Sequence, residues 1–294
     1  MATGPNTTGS FADSMDDIVA GARTVREYAN VMSRLVDTTR LKNNTGMNWK
    51  EVVLSRLTAS NLDELTDLEQ NPQLIIDSLF TIAPTLVGLS VFMTDRARVR
   101  ISSVVAAKIG VLTENALARK IDLDMVAVGA AATTDLGTAG NPFSSDAISA
   151  AASRVADNST EPWDGPMATV ARGFQIKDIQ DEGVAGFGTY PVPEGLTERW
   201  LRKGFSGDLF DTAVYKDNNI VVDSADDAVA FVFASGPGGA IVNITGMESR
   251  HVTVRKENIG GGAEIMYVTD EYGLGLRQSA HIIAITADST APTA

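Results

Sequence analysis

The side chains able to do chemistry are few and scattered. His251 and His281 are the only histidines in 294 residues, and there is no cysteine. This composition removes thiolate zinc sites, iron–sulfur clusters, disulfides and cysteine nucleophiles together, and leaves any metal centre to oxygen ligands. Carboxylate pairs stand at Asp16-Asp17, Asp63-Glu64 and Asp226-Asp227. Such pairs can run general acid–base chemistry or hold calcium, but none has the glycine and spaced ligands of a calcium loop. Each is read near a helix start, where the macrodipole favours negative charge. No Gly-Lys dipeptide occurs, so there is no phosphate-binding P-loop, and no Gly-x-Ser-x-Gly, so there is no nucleophile elbow. The glycines from Gly236 to Gly239 and from Gly260 to Gly262 do not follow the strand–glycine–helix order of a dinucleotide site and read as turns. His281 heads an apolar strand and His251 lies in an alternating one, so both read as packed or surface side chains. The sequence predicts a protein that is not an enzyme, with no catalytic residue, cofactor or metal.

The elements that could position these residues are read from hydrophobic period. Residues Asp13 to Asp37 place Ile18, Ala22, Val25, Ala29, Met32 and Val36 at helical spacing. Ser60 with Asp63, and Asn71-Pro72, predict the starts of two further helices, the second ending at Pro84. Leu74 to Met93 has the length of a membrane span, but Asp77 and Pro84 interrupt it, and it reads as a buried helix, a proline break and a strand. From Asp95 the period becomes two, with Arg96, Arg98, Arg100 and Ser102 on one face and Ala97, Val99 and Ile101 on the other, which predicts an exposed ribbon. Thr113 opens a helix striped by Leu117, Ile121, Met125 and Val128, which dissolves between Gly129 and Gly140. Asn141-Pro142 and Ser144 start another, with a narrow face of Ile148, Ala151, Ala152 and Val155. Beyond Trp163, short apolar runs broken by Gly and Pro predict an α+β region. His251–Arg255, Glu264–Thr269 and His281–Thr286 predict strands of one antiparallel sheet.

Charge is distributed unevenly. The chain carries a net charge of −13, which argues against nucleic-acid binding by bulk attraction. Residues 61–84 hold five acids (Asp63, Glu64, Asp67, Glu69, Asp77) and no base, whereas residues 85–120 hold two acids against six bases. A local excess of positive charge on an acidic protein predicts a docking arm for an acidic surface, such as one on a second copy. The opening segment MATGPNTTGS has no basic start or apolar core, so a cytoplasmic location and no membrane association are expected.

The order of these elements resembles the major capsid proteins of tailed bacteriophages, the Hong Kong 97 type shell fold. The residues that carry the resemblance most clearly run from Asp270 to Arg277 (DEYGLGLR) and from His281 to Ile285 (HIIAI), within Glu248 to Asp288. Asn141 to Val155, Gly165 to Val170 and Asp226 to Asn243 are similar to the family's spine helix and to the strands entering and closing its axial domain. The resemblance implies an α+β subunit divided into an N-terminal arm with helices (1–84), an extended loop or β-ribbon (85–112), a peripheral domain with spine helix (113–162), an axial domain (163–245) and a returning peripheral sheet (246–294). It implies self-assembly into hexamers and pentamers of an icosahedral virion shell, formed in the host cytoplasm around double-stranded DNA held without sequence-specific contacts. Portal, scaffolding and decoration proteins are the implied partners. Arg96, Arg98, Arg100 and Arg277 are the expected assembly contacts. Two alternatives remain, an encapsulin-type nanocompartment shell and a cytosolic metal-dependent hydrolase.

Overall fold

A computed structural model describes residues 27–292, except 29, 43, 45, 60, 62–72, 101–102, 188–206, 248 and 259. A 3-10 turn (Met32–Arg34) leads into β1 (Asp37–Arg40), β2 (Trp49–Leu54), β3 (Asp77–Ile82) and β4 (Thr85–Thr94). Three helices follow: α1 (Asp95–Arg100), α2 (Ser103–Ala130) and α3 (Ser145–Ala156). Then come β5 (Met167–Ala171), α4 (Gly173–Phe187), β6 (Asp208–Leu209), β7 (Thr212–Lys216), β8 (Asp227–Ala234), β9 (Ile241–Thr245), β10 (Arg250–Lys256), β11 (Ala263–Leu276) and β12 (Ile282–Asp288).

The strands form two five-stranded sheets and one two-stranded ribbon. In the first sheet β11 is the axis. Along one edge it pairs antiparallel with β4, from Ala263↔Thr94 to Tyr272↔Thr85. Its other edge is shared end to end by β10, opposite Ala263 to Thr269, and β9, opposite Tyr272 to Leu276, with β1 parallel outside β9. The second sheet runs β12-β8-β5-β7-β6. β5 and β8 are buried along nearly their whole length, as expected of strands covered on both faces. The ribbon consists of β2 and β3 alone, paired antiparallel from Trp49↔Ile82 to Leu54↔Asp77.

One core joins α2, α3, α4 and the second sheet. Phe143, Ile148, Phe231, Phe233, Ile282 and Ile285 are fully buried in it. α3 forms as its sequence dictates: Ser144 caps it by accepting a hydrogen bond from the Ala147 amide, and Ile148, Ala151, Ala152 and Val155 all face the core. The Leu117–Ile121–Met125–Val128 stripe lies on α2, which begins ten residues before the expected start at Thr113.

Several expectations are corrected. The period-two reading from Asp95 fails: Asp95–Arg100 is a helix, because Thr94 Oγ1 accepts the Ala97 amide at 3.2 Å and Asp95 supplies the acidic first turn. Residues 85–112 are therefore a sheet strand followed by helices, and the ribbon lies earlier, at Trp49–Ile82. The helix expected up to Pro84 is strand β3 from Asp77, while its expected starts at Ser60, Asp63 and Asn71-Pro72 fall wholly or partly outside the described residues. The arm helix expected to reach Asp37 gives way to the 3-10 turn and β1, and its stretch before residue 27 lies outside the described residues. β12 does not join β10 and β11 in one sheet. Its buried run Ile282–Ile285 pairs with β8 in the second. Asp226 and Asp227 stand at the turn into β8, with Asp226 at φ 64°, and start no helix. Asp16-Asp17 and Asp63-Glu64 lie outside the described residues. Leu74 to Met93 holds two strands around Pro84, and no helix among the described residues is long and apolar enough to cross a membrane.

Candidate assembly interface

Among the described residues, the ribbon is the part least satisfied by its own chain. Val52, Val53, Leu54, Leu57, Leu74, Ile75, Ile76 and Leu79 are exposed, Leu54 by 64%, Leu74 by 78% and Ile76 by 61%. Its pairing continues past the regular strands: Ser55 and Ile76 exchange bonds through the Ser55 amide and hydroxyl, and the Gln73 side chain bridges both main-chain groups of Thr58. A two-stranded sheet with no core of its own is marginal in water, so this one depends on its seat and on what covers it.

The seat is built by strand β11. At the ribbon's base Trp49 and Phe80 meet edge to face, with centroids 6.2 Å apart, and Ile82 packs with Val242 and Ile244 of β9. β11 makes room for them by carrying no side chain at two positions. A Cβ on Gly275 would stand 2.7 Å from Ile82 Cδ1 and 2.8 Å from Phe80 Cζ, and one on Gly273 would stand 2.7 Å from Ile82 Cγ2. Between and beside these glycines β11 is tied to the body. The Tyr272 hydroxyl donates to Asp124 Oδ2 of α2 at 2.6 Å, and burial together with that carboxylate holds the phenol above its ordinary pKa.

Arg277 fixes the end of the strand. Its guanidinium reaches Asp37 Oδ2 of β1 at 3.0 Å, Glu51 Oε2 of β2 at 2.9 Å and the Gly239 carbonyl at 3.0 Å. Only 15% of the side chain is exposed. Burial alone would lower its pKa, but the bonds to Glu51 and Asp37 outweigh it and the group stays fully charged. Arg277, expected at a contact with another copy, is thus an internal clamp that holds the ribbon's first strand. Each of its three nitrogens thus donates to a different element of its own chain.

The other expected contacts gather at the opposite end of β11. Arg96, Arg98 and Arg100 on α1 are all exposed, beside the turn that joins β10 to β11. Arg98 pairs with Glu264, and Arg255 of β10 pairs with Asp95 at 3.0 Å. These two exposed bridges mark where α1 lies beside the hairpin and contribute little to its stability. Lys256 of β10, opposite Ala263, adds exposed charge to the same tip. Sequence reasoning missed this half of the patch, because β10 lies about 150 residues beyond α1 and only the β4–β11 pairing brings them together.

The features sought as catalytic groups are structural. His281 is buried, with Nε2 2.7 Å from the Glu161 carbonyl oxygen, and packs on Trp163. His251 is half-exposed on β10, 3.6 Å from Glu114. Gly236 and Gly238 have φ of +80° and +77° in a turn, as do Gly261 and Gly262 at +102° and +89°. Among the described residues no three His, Cys, Asp or Glu side chains gather closely enough to hold a metal ion.

A long helix laid along a sheet whose central strand ends in a ribbon seat, beside a second sheet of buried strands, is the Hong Kong 97 type capsid fold. The chain is similar over 97% of its length to the capsid protein of Cyanophage P-SCSP1u, covering 96% of that chain with a TM-score of 0.71 and 13% identity. A structure from Mycobacterium phage Che8 matches with a TM-score of 0.70 and 14% identity, over 90% of this chain and 93% of that one. The encapsulin SrpI of Synechococcus elongatus PCC 7942 matches with a TM-score of 0.61 and 12% identity over 99% of both chains. No family model and no curated protein sequence matches the chain.

Proposed function

We propose that this chain is the major capsid protein of a tailed double-stranded DNA bacteriophage, a tile that assembles with copies of itself into hexamers and pentamers of an icosahedral head and catalyses no reaction. The observation that carries this reading is the ribbon, a rigidly seated apolar two-stranded sheet uncovered in the single chain. Burying each Val, Leu or Ile side chain contributes about 1.5–3 kcal/mol, so covering the ribbon with a neighbouring copy is a strong drive to associate. A surface that contacts a different patch on the next copy closes into rings, which is the geometry of capsomers. In this reading β2 and β3 form the extended loop, the sheet around β11 with α2 forms the peripheral domain, and the sheet around β8 forms the axial domain. The tip carrying Arg96, Arg98, Arg100 and Lys256 meets an acidic face of an adjacent subunit. The protein is then located in the virion and assembles in the host cytoplasm, with portal, scaffolding and decoration proteins as partners. Its net charge of −13 suits a container that repels packaged DNA and does not retain it.

Negative-stain microscopy of the purified full chain tests the reading: closed shells or rings are expected, and a monodisperse monomer at high concentration overturns it. Replacing Arg96, Arg98 and Arg100 together by Glu is expected to leave the subunit's circular dichroism unchanged and to abolish assembly. Intact shells from that variant would remove the tip from the interface. The encapsulin likeness favours a second reading, a cargo-loaded cellular shell. Genes for a terminase and portal beside this one support the phage, and a cargo enzyme gene beside it supports the compartment.

A further inference from the structure

Beneath the arm turn lies a buried acidic pair that none of the assembly surfaces uses. Asp122 of α2, Asp217 after β7 and Asn219 are all buried, Asp217 to 1% exposure. Asp122 is well satisfied: its Oδ1 accepts the Val31 amide at 3.0 Å and the Met32 amide at 2.9 Å, and its Oδ2 accepts Asn219 Nδ2 at 2.6 Å. It therefore anchors the turn leading into β1. Asp217 is not so provided. Its Oδ1 accepts the Asn219 amide at 2.8 Å, but its Oδ2 has no donor, and neither has Asn219 Oδ1 beside it.

Two orphaned buried acceptors next to a second carboxylate form an arrangement that a second negative charge would disrupt. One proton on Asp217 Oδ2 removes the difficulty, since it turns an acceptor into a donor with Asp122 and Asn219 Oδ1 as acceptors in its surroundings. Among the described residues, the cations on the surrounding elements are engaged or turned elsewhere. The arm turn offers Val31 and Met32 as main-chain amides, and its Arg34 is exposed. Arg172, between β5 and α4, gives its guanidinium to the Ile220 carbonyl at 2.5 Å, Lys216 of β7 is exposed, and Lys120 of α2 is bound to Asp124.

We propose that Asp217 is held as a neutral carboxylic acid whose proton locks the Val31–Leu35 turn onto α2, so that loss of the proton releases the arm. Burial first, and then the neighbouring Asp122 carboxylate, raise the Asp217 pKa from its ordinary 3.8 to about 7. The sign follows from linkage. A carboxyl whose pKa is raised when closed gives up a proton on opening, so the lock is at full strength below about pH 4 and is lost as pH rises through about 7. The device operates at neutral pH and is independent of what the chain assembles into.

Hydrogen exchange at Val31 and Met32 in the full-length protein, corrected for intrinsic rates, tests it. Their protection is expected to fall by up to about tenfold per pH unit between pH 5 and 7, one proton being released per opening. Asp217→Asn mimics the protonated acid, keeping the acceptor for the Asn219 amide and supplying a donor, and its protection is expected to be flat with pH. Equal slopes in wild type and variant overturn the proposal. If Asp217→Asn does not fold, the wild-type protein decides: protection at Val31 and Met32 that falls as the Asp217 carboxyl carbon titrates near neutrality supports the lock, and titration near pH 4, or protection that does not follow the titration, overturns it.

Discussion

Gly275→Val is expected to yield a folded subunit that does not assemble into the shells proposed above. The two methyl groups and the Cβ enter space already held by Ile82 and Phe80, whose nearest atoms lie 2.7 and 2.8 Å from the new Cβ position. Overpacking a filled site costs about 1–3 kcal/mol, and here the strain has an easy outlet, because the ribbon has little besides this seat to hold it. The second sheet and its core lie elsewhere, so circular dichroism is expected to stay native while sedimentation and microscopy show loss of assembly. Geometry can be separated from general damage by a compensating pair. Gly275→Ala alone is expected to impair assembly, and adding Ile82→Val, which removes the Cδ1 in contact, is expected to restore part of it. Full assembly of the valine variant would show that the ribbon's seat is not what orients it.

Arg277→Leu carries the second large effect. It leaves the Asp37 and Glu51 carboxylates facing the place of a lost guanidinium, with the Gly239 carbonyl losing a donor as well. Removing one partner from a buried ion pair costs about 3–5 kcal/mol, and the exposure of Glu51, near one third, places this case at the lower end. Urea denaturation of the unassembled subunit measures it. Arg277→Lys keeps the charge without the fork and is expected to recover less than half of the loss, because an ammonium cannot reach β1, β2 and the turn together. A double-mutant cycle with Asp37→Asn isolates the pairwise part. A loss below about 1 kcal/mol would return Arg277 to the ordinary surface ion pairs.

What the sequence disclosed and what it hid divide by range. α3 was legible in its cap Ser144 and its four core positions, which are local signals, although the helix begins at Ser145 and not at Asn141-Pro142. The strands at 167–170, 228–234 and 251–255 were legible for the same reason. Asp95–Arg100 was not: six residues alternating charged and apolar fit a strand and a short helix equally, and the Thr94 cap and the Glu264 partner that decide the matter lie outside the period. The ribbon was missed because its stability is almost wholly non-local. β2 finds its partner across more than twenty residues of chain, and beyond Trp49 its apolar side chains Val52, Val53 and Leu54 are exposed, with no core to mark them. Arg277 was recognised within the most telling stretch of sequence, DEYGLGLR, but its bonds to β1, β2 and the Gly239 carbonyl were not. The glycines of that stretch are a socket and its arginine is a clamp, both directed at the ribbon.

β11 holds the basic tip at one end and the ribbon socket at the other, flanked on both edges by antiparallel partners for most of its length. Tension applied along it would meet every rung of hydrogen bonds in shear, and these must break together where a peeling force could open them singly. Such a strand behaves as a tie-rod. Load arriving at one corner of the tile is delivered to the opposite corner with little stretch, so internal pressure on a shell of these subunits would be carried around the lattice instead of deforming the tile.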